Sequence, residues 1–285
     1  MSFFDLHVHA APSLFPRQAD GVTLAAQYAE AGASGFLLKH HHGSSVEAAA
    51  ALQAMHPGMN VHGGLVLNMF VGGVNAFAVD AAVALGAKMI WLPTLHASAH
   101  ERACGCLGGF TFQQPATRLD LCEGIDLLDD QGALWPQVHE VLDVLHGRGV
   151  ALGTGHVSRE EVFAVHAAIR ERKLDVPLVV NHVFFDVPNL GVDDLTALQG
   201  DGVFFEIVEL STQAKVGATI LPEVARMLQQ HPDWNWILAS DGGQADAGPP
   251  PMRLTAFRDA LQAGGVSEAA LDRYLERHPR AALGL

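Results

Sequence analysis

Eight short apolar runs recur along the chain, separated by segments whose apolar residues return at helical spacing. They are FFDLHVH near residue 4, SGFLLKH near 35, VHGGLVLN near 62, MIWLPTLH near 90, VALGTGH near 151, PLVVNH near 178, GVFFEIVE near 203 and NWILASD near 236. Such alternation is the pattern of βα units around a parallel sheet buried on both faces. Eight units predict a closed α/β architecture, a (β/α)8 TIM-like barrel. A chain of 285 residues suits that barrel, and no linker, internal repeat or low-complexity tract divides it, so residues 1–285 are read as one domain.

The connecting segments support this reading. TLAAQYAEAGA ends at a glycine, and Trp135, Val138, Leu142 and Leu145 fall on one helical face. Ser158 and Glu161 have the spacing of a capping box, so a helix should begin after GTGH. The widest gap, Ala97 to Ala133, has little periodicity and is expected to be a long loop after strand four, of the kind that forms lids.

Composition narrows the function classes. The chain carries 31 acidic against 17 basic residues, a formal charge of −14, and no cluster of Lys and Arg suited to a phosphate backbone, so nucleic acid is not an expected partner. Cys104, Cys106 and Cys122 are an odd set in a long chain, which fits a reducing compartment and a cytoplasmic protein. The N-terminus has no basic residue ahead of its short apolar stretch and lacks the opening of a secretory signal. The uncharged stretch Val61 to Val79 has the length of a membrane span, but His62, Asn68, Asn75 and four glycines interrupt it; a buried strand and a glycine-rich loop are expected instead. The expected partner is a small-molecule substrate, with no membrane; self-association into a homo-oligomer is left open.

Of 16 histidines, eight (His7, His9, His40, His41, His42, His96, His156 and His182) fall at the carboxyl ends of expected strands, the face where barrels of this type assemble active sites. His7 and His9, two apart on a strand, leave the same face and can converge on one ion. Asp5 shares their parity and is read as buried support. His156 and His182 end strands five and six. Asp241, in ASDGG after strand eight, offers an oxygen ligand or a base. Imidazoles with one or two carboxylates suit Zn²⁺, and also Fe²⁺ or Mn²⁺.

With DLHVH, GTGH, NH and SDGG on strands one, five, six and eight, and HPRAALGL at its C-terminus, the chain resembles the amidohydrolase superfamily over nearly its whole length. The resemblance implies a distorted (β/α)8 barrel, one or two divalent metals and hydrolysis of amide, amine or ester bonds. It carries His7, His9, His156, His182 and Asp241 over as metal ligands, with Asp241 also moving protons. One element departs: many binuclear members have a carboxylated lysine ending strand four, where this chain has PTLHA, and Lys88 lies at that strand's beginning. Lys39 ends strand two instead, in Lys39-His40-His41-His42. Strand parity puts Lys39 and His41 on one face and His40 and His42 on the other, so Lys39 and His41 are read as pocket residues, Lys39 as a displaced bridging carbamate or a cation for a substrate anion.

Weaker candidates are His96, a substitute ligand on strand four; the Cys104/Cys106 pair; Asp186, read as a turn residue; and Glu206 and Glu209, whose opposite parity allows only one into the pocket. Rival functions are a PHP-type phosphoesterase, with Gly43-Ser44-Ser45 donating to phosphate, a metal-dependent decarboxylase, and a catalytically silent barrel that binds a small molecule.

Overall fold

The computed structural model describes residues 2–110, 115, 123–212 and 221–285. The eight expected strands form in order: β1 Phe4–Val8, β2 Gly35–Leu38, β3 Asn60–Val66, β4 Met89–Trp91, β5 Ala151–Gly153, β6 Leu178–Val180, β7 Val203–Val208 and β8 Trp236–Ala239. They make one parallel sheet in the order β1 to β8. The bridge between Val8 and Gly242 and the bond from His9 N–H to the Gly242 carbonyl (2.9 Å) bring β1 back to the end of β8, so the sheet curls into a (β/α)8 barrel. Gly243 is required at this seam: its φ is +116°, and a Cβ there would sit 2.1 Å from the His9 carbonyl oxygen.

Helices fill the connections: α1 Gly21–Glu30, α2 Val46–Met55, α3 Ala76–Ala84, α4 Ser98–Cys104, α5 Pro136–Leu145, α6 Arg159–Glu171, α7 Val192–Leu198, α8 Leu221–Gln230 and α9 Pro250–Ala263, with shorter helical turns to the C-terminus. The capping box at Ser158 and Glu161 forms as expected. On α5, Val138, Leu142 and Leu145 are buried, but Trp135 is the N-cap and remains 46% exposed, so it is not part of that apolar face. Among the described residues no helix is long and apolar enough to cross a membrane, and the Val61 to Val79 stretch divides into β3, a short 3-10 turn at Met69–Val71 and the start of α3.

The connection after β4 differs from expectation. It opens with α4, whose two turns are too short for a periodic signal, and whose His100 is fully buried. Residues 111–114 and 116–122 of this connection, Cys122 among them, lie outside the described residues.

Two apolar layers hold the barrel. The outer one packs strands against helices through residues such as Tyr28, Phe36, Ile90, Leu142 and Phe205. The inner one, including Phe4, Leu37, Trp91, Val179, Phe204 and Ile237, fills the barrel and takes in Ala282 and Leu283 from the C-terminal ALGL. Strand alternation explains the split: along β7, Phe204 and Val208 point inward while Val203, Phe205 and Ile207 point out. Glu206 shares the inward parity.

Candidate metal centre and active site

His7, His9, Lys39, His41, His156, His182 and Asp241 all line one cavity of about 670 Å³. His40 and His42 are absent from its wall and stack on each other, with ring centroids 5.3 Å apart, as the parity of that run requires. Asp5 does not share the face of His7: a register irregularity between Asp5 and Val8 turns it toward α1. Its carboxylate accepts from the Tyr28 hydroxyl (2.5 Å), Ser240 N–H (3.0 Å) and His7 N–H (3.2 Å), which ties β1 to β8 behind the site. Burial raises its pKa, opposed by those hydrogen bonds.

The ring contacts determine which imidazole nitrogen faces the cavity. His9 Nδ1 lies 2.8 Å from the Lys39 carbonyl oxygen, an atom that only accepts, so Nδ1 carries the proton and Nε2 the lone pair. His7 Nδ1 lies 3.1 Å from Glu206 Oε1, and its Nε2 faces the cavity beside Lys39 Nζ (3.0 Å). His100 Nε2–H donates to the Gly109 carbonyl (2.8 Å), so its Nδ1 accepts from His156 Nδ1 (2.9 Å) and the His156 lone pair also sits on Nε2. Burial, first among the causes, pushes His9 and His156 well below the ordinary histidine pKa, and both rings are neutral at pH 7.

These nitrogens meet a carboxylate. Asp241 Oδ1 is 3.1 Å from His9 Nε2 and 3.3 Å from His7 Nε2. Burial alone would raise the Asp241 pKa, but the neighbouring histidines hold it well below the usual carboxylate range. With His9 neutral, acceptor faces acceptor at that contact, which a cation would relieve, while His7 Nε2 also has Lys39 Nζ at 3.0 Å. His182 Nδ1 is buried without a hydrogen-bond partner and lies 3.9 Å from Glu206 Oε2. Ligand atoms of His7, His9 and Asp241 lie within 4.8 Å of one another, as do those of His7, His182 and Glu206. Imidazoles with ionised carboxylates form a donor set that fits a divalent ion.

Glu206 is the residue that sequence reasoning ranked too low. It is fully buried and bonds His7 and the Asn181 amide (2.9 Å). Its burial is outweighed by His7, His182 and Lys39, which bring its pKa to about 2. Its signal was one acid at inward parity within an apolar run. Asn181 completes the reason for the NH motif: its side-chain oxygen accepts from Gly155 N–H (3.0 Å), joining GTGH to β6 and β7. Glu209 turns outward and pairs with Arg253.

Lys39 is fully buried, its Nζ 3.0 Å from His7 Nε2 and 5.2 Å from the centre of the Trp91 ring. Burial lowers its pKa to about 8, with Asp241 and Glu206 opposing. His41 Nδ1 contacts Thr94 Oγ1 (3.0 Å), and Asn68 bonds both Thr94 and the His41 carbonyl, so the ends of β2, β3 and β4 are cross-linked behind the His41 ring.

Other candidates fall outside. His96 does not line the cavity; its Nδ1 accepts from Met69 N–H (3.2 Å) and its ring packs on Phe70. Cys104 and Cys106 are free thiols in no metal-like group among the described residues, and burial pushes Cys104 up to about 11. Asp186 is exposed. Ser44 and Ser45 hydroxyls are committed to Glu47 and to the Leu38 and Gly64 carbonyls, and neither residue lines the cavity, which removes the phosphate cradle expected of a PHP-type site.

No curated protein matches the chain. Among solved structures it is similar to a Pseudomonas putida protein provisionally named a 2-pyrone-4,6-dicarboxylic acid hydrolase (TM-score 0.59, 14% identity, covering 99% of this chain and 97% of that one). It is also similar to the phosphotriesterase homology protein of Escherichia coli (TM-score 0.57, 14% identity, 99% and 98% covered). A third similar structure is an enamidase described as a member of the amidohydrolase superfamily (TM-score 0.57, 15% identity, 100% and 67% covered). At these identities the likeness is one of fold, and the fold is the one that the motifs led us to expect. A family model matches residues 2–206, which takes in every site residue from His7 to Glu206, and the chain belongs to the family it describes, a family of unknown function (DUF6282).

Proposed function

We propose that this protein is a metal-dependent hydrolase that acts on an amide, ester or amine-bearing small molecule. The carrying observation is the convergence of His7 Nε2 and His9 Nε2 on the Asp241 carboxylate at 3.1–3.3 Å, with His7, His182 and Glu206 grouped beside them, a cluster of ligand atoms that a divalent ion would satisfy. His7, His9, His156, His182 and Asp241 are the proposed ligands, with Glu206 added from its contacts to His7 and His182. Zinc suits the set best, and the number of ions is one or two.

The chemistry such an ion supplies when bound is to acidify water from pKa 15.7 towards ~7 and to polarise a carbonyl. The rest falls to the chain. Asp241, ionised and 14% exposed at the cavity wall, takes the proton from attacking water and delivers it to the leaving group. Lys39 as an ammonium offsets the buried carboxylates; carboxylated at Nζ, it would add an oxygen ligand at the end of β2. His41, held through Nδ1, presents its other nitrogen to substrate. A cytoplasmic location, inferred from the odd set of cysteines, is part of the same proposal.

The test is elemental analysis of untagged protein, wild type against His7→Ala and Asp241→Ala. One or two equivalents of zinc, iron or manganese, lost in both variants, are expected. Absence of stoichiometric metal after divalent ions are added back would overturn the reading and leave a small-molecule-binding barrel.

A further inference from the structure

The cavity wall carries a cation that the metal-centred chemistry does not use. Arg17 lies in the loop between β1 and α1, closed at its base by bonds from Ala11 N–H to the Ala19 carbonyl (2.8 Å) and from Gly21 N–H to the Ala11 carbonyl (3.2 Å). The loop is then stitched to the segment after β8 by a bridge between Arg17 and Gln244 and a bond from Gln18 N–H to the Gly243 carbonyl (2.9 Å). Two strand ends thus fix the backbone from which the guanidinium reaches inward.

That guanidinium is under-used. Its Nε donates to Ser13 Oγ (3.3 Å), and it makes no ion pair with any described residue, although Arg159, Arg172, Arg253, Arg258 and Arg277 each have a carboxylate partner. In a chain with 31 acidic residues this is a notable omission. Asp241 is committed to His7 and His9, and Asp246, on the same wall, has a partner of its own. Burial lowers the Arg17 pKa to about 10, against the pull of Asp241, so it remains cationic at neutral pH. A partly desolvated cation without a counter-charge is costly, and a planar fork of donors is the geometry that receives a carboxylate in bidentate fashion.

The remaining wall is apolar and largely aromatic. Phe15 and Phe110 meet edge to face at 6.5 Å, with Phe15 beside His41, while Phe185 lies against His182 and His156. Leu210 and Pro16 add further apolar surface. Flat apolar walls near the histidines, with one guanidinium held between two loops, 5.8 Å from the centre of the Phe15 ring and without an ion pair among the described residues, describe a ligand with an apolar ring and one anionic group.

We propose that the substrate is a monocarboxylate built on a flat, apolar body, with Arg17 receiving the carboxylate and the phenylalanines receiving the body. This rests on the hydrolase reading only for what happens at the end of the molecule facing Asp241. The two acids on the wall oppose a polyanion and favour a single charge.

The probes are benzoate and its neutral isostere benzamide, titrated into wild type, Arg17→Met and Arg17→Lys by calorimetry, on protein as purified and after chelation, with metal content measured on the same samples. Wild type is expected to hold benzoate at least ~10-fold more tightly than benzamide in both states. Arg17→Met should bring that ratio close to one without lowering the thermal midpoint, and Arg17→Lys should restore part of it. Equal affinity for the two probes, binding of neither, or a preference that survives Arg17→Met or disappears on chelation would overturn the proposal. A metal-loaded protein without the preference sinks this inference alone. A protein that never holds metal yet prefers benzoate through Arg17 sinks the hydrolase reading alone.

Discussion

His182 and Asp241 share a backbone feature: each directly follows the last polar residue of its strand end with a positive φ, 52° and 46°. Left-handed backbone costs a non-glycine residue roughly 1–2 kcal/mol, with His and Asp among the types that tolerate it best. Two such residues converging on one cavity indicate that local strain is retained to aim side chains. Asp241→Asn keeps the shape and the tolerance for that φ but removes the charge. We expect added zinc to raise the thermal midpoint of the wild type, by about 2.7 kcal/mol of stability at 100 times the Kd, and to leave Asp241→Asn unmoved; an equal rise in both would remove Asp241 from the ligand set. His100 acts one residue further back by fixing the tautomer of His156. His100→Phe preserves the buried ring but not the acceptor, and zinc affinity should fall about 10–100-fold in a competition titration; unchanged affinity would show that His156 needs no such partner.

At the scale of elements, α6 shows how one helix start organises the long connection after β4. Ser158 Oγ accepts from Glu161 N–H, and Glu161 Oε2 accepts from Ser158 N–H (2.7 Å), while Oε1 accepts from the buried Leu127 N–H (2.5 Å). Ser158→Ala removes one cap interaction and should cost about 1 kcal/mol in urea unfolding. Glu161→Ala also leaves Leu127 N–H buried and unpaired, which adds about 1–3 kcal/mol. Equal costs for the two variants would show that the bond to Leu127 contributes nothing. Strand alternation works at the same scale: it explains why Glu206 is inside, Glu209 outside, and the four residues from Lys39 to His42 divided between two environments.

Across the whole molecule, histidines held neutral by burial make stability depend on pH. His40, His62 and His96, none of them a proposed ligand, are each lowered to about 4, burial being the largest cause. Between about pH 4 and the unfolded value of ~6.5 the unfolded chain binds more protons than the native one, so stability increases with pH across that window and is lost as pH falls through it. The thermal midpoint of metal-free protein should therefore decline from pH 7 to pH 4.5. A flat profile would mean that these rings are protonated in the fold.

The barrel and the convergence of His7, His9, His156, His182 and Asp241 on one end were legible in the sequence, because both follow from repeat and parity: a strand has a period of two, and a βα unit always returns its strand end to the same face. Three things were not legible. Asp5 left the face its number predicts because a register irregularity in β1 breaks the alternation. Helix α4, with His100 behind His156, is too short to carry a periodic signal. Glu206 and Arg17 gained their meaning from partners 199 and 227 positions away, His7 across the barrel and Gln244 across the seam. Sequence by itself determined which residue types stand at which strand ends, since that is local geometry repeated. Only the tertiary structure decided which of them touch, which nitrogen faces the cavity and which charge is left without a partner, because those depend on how the sheet closes.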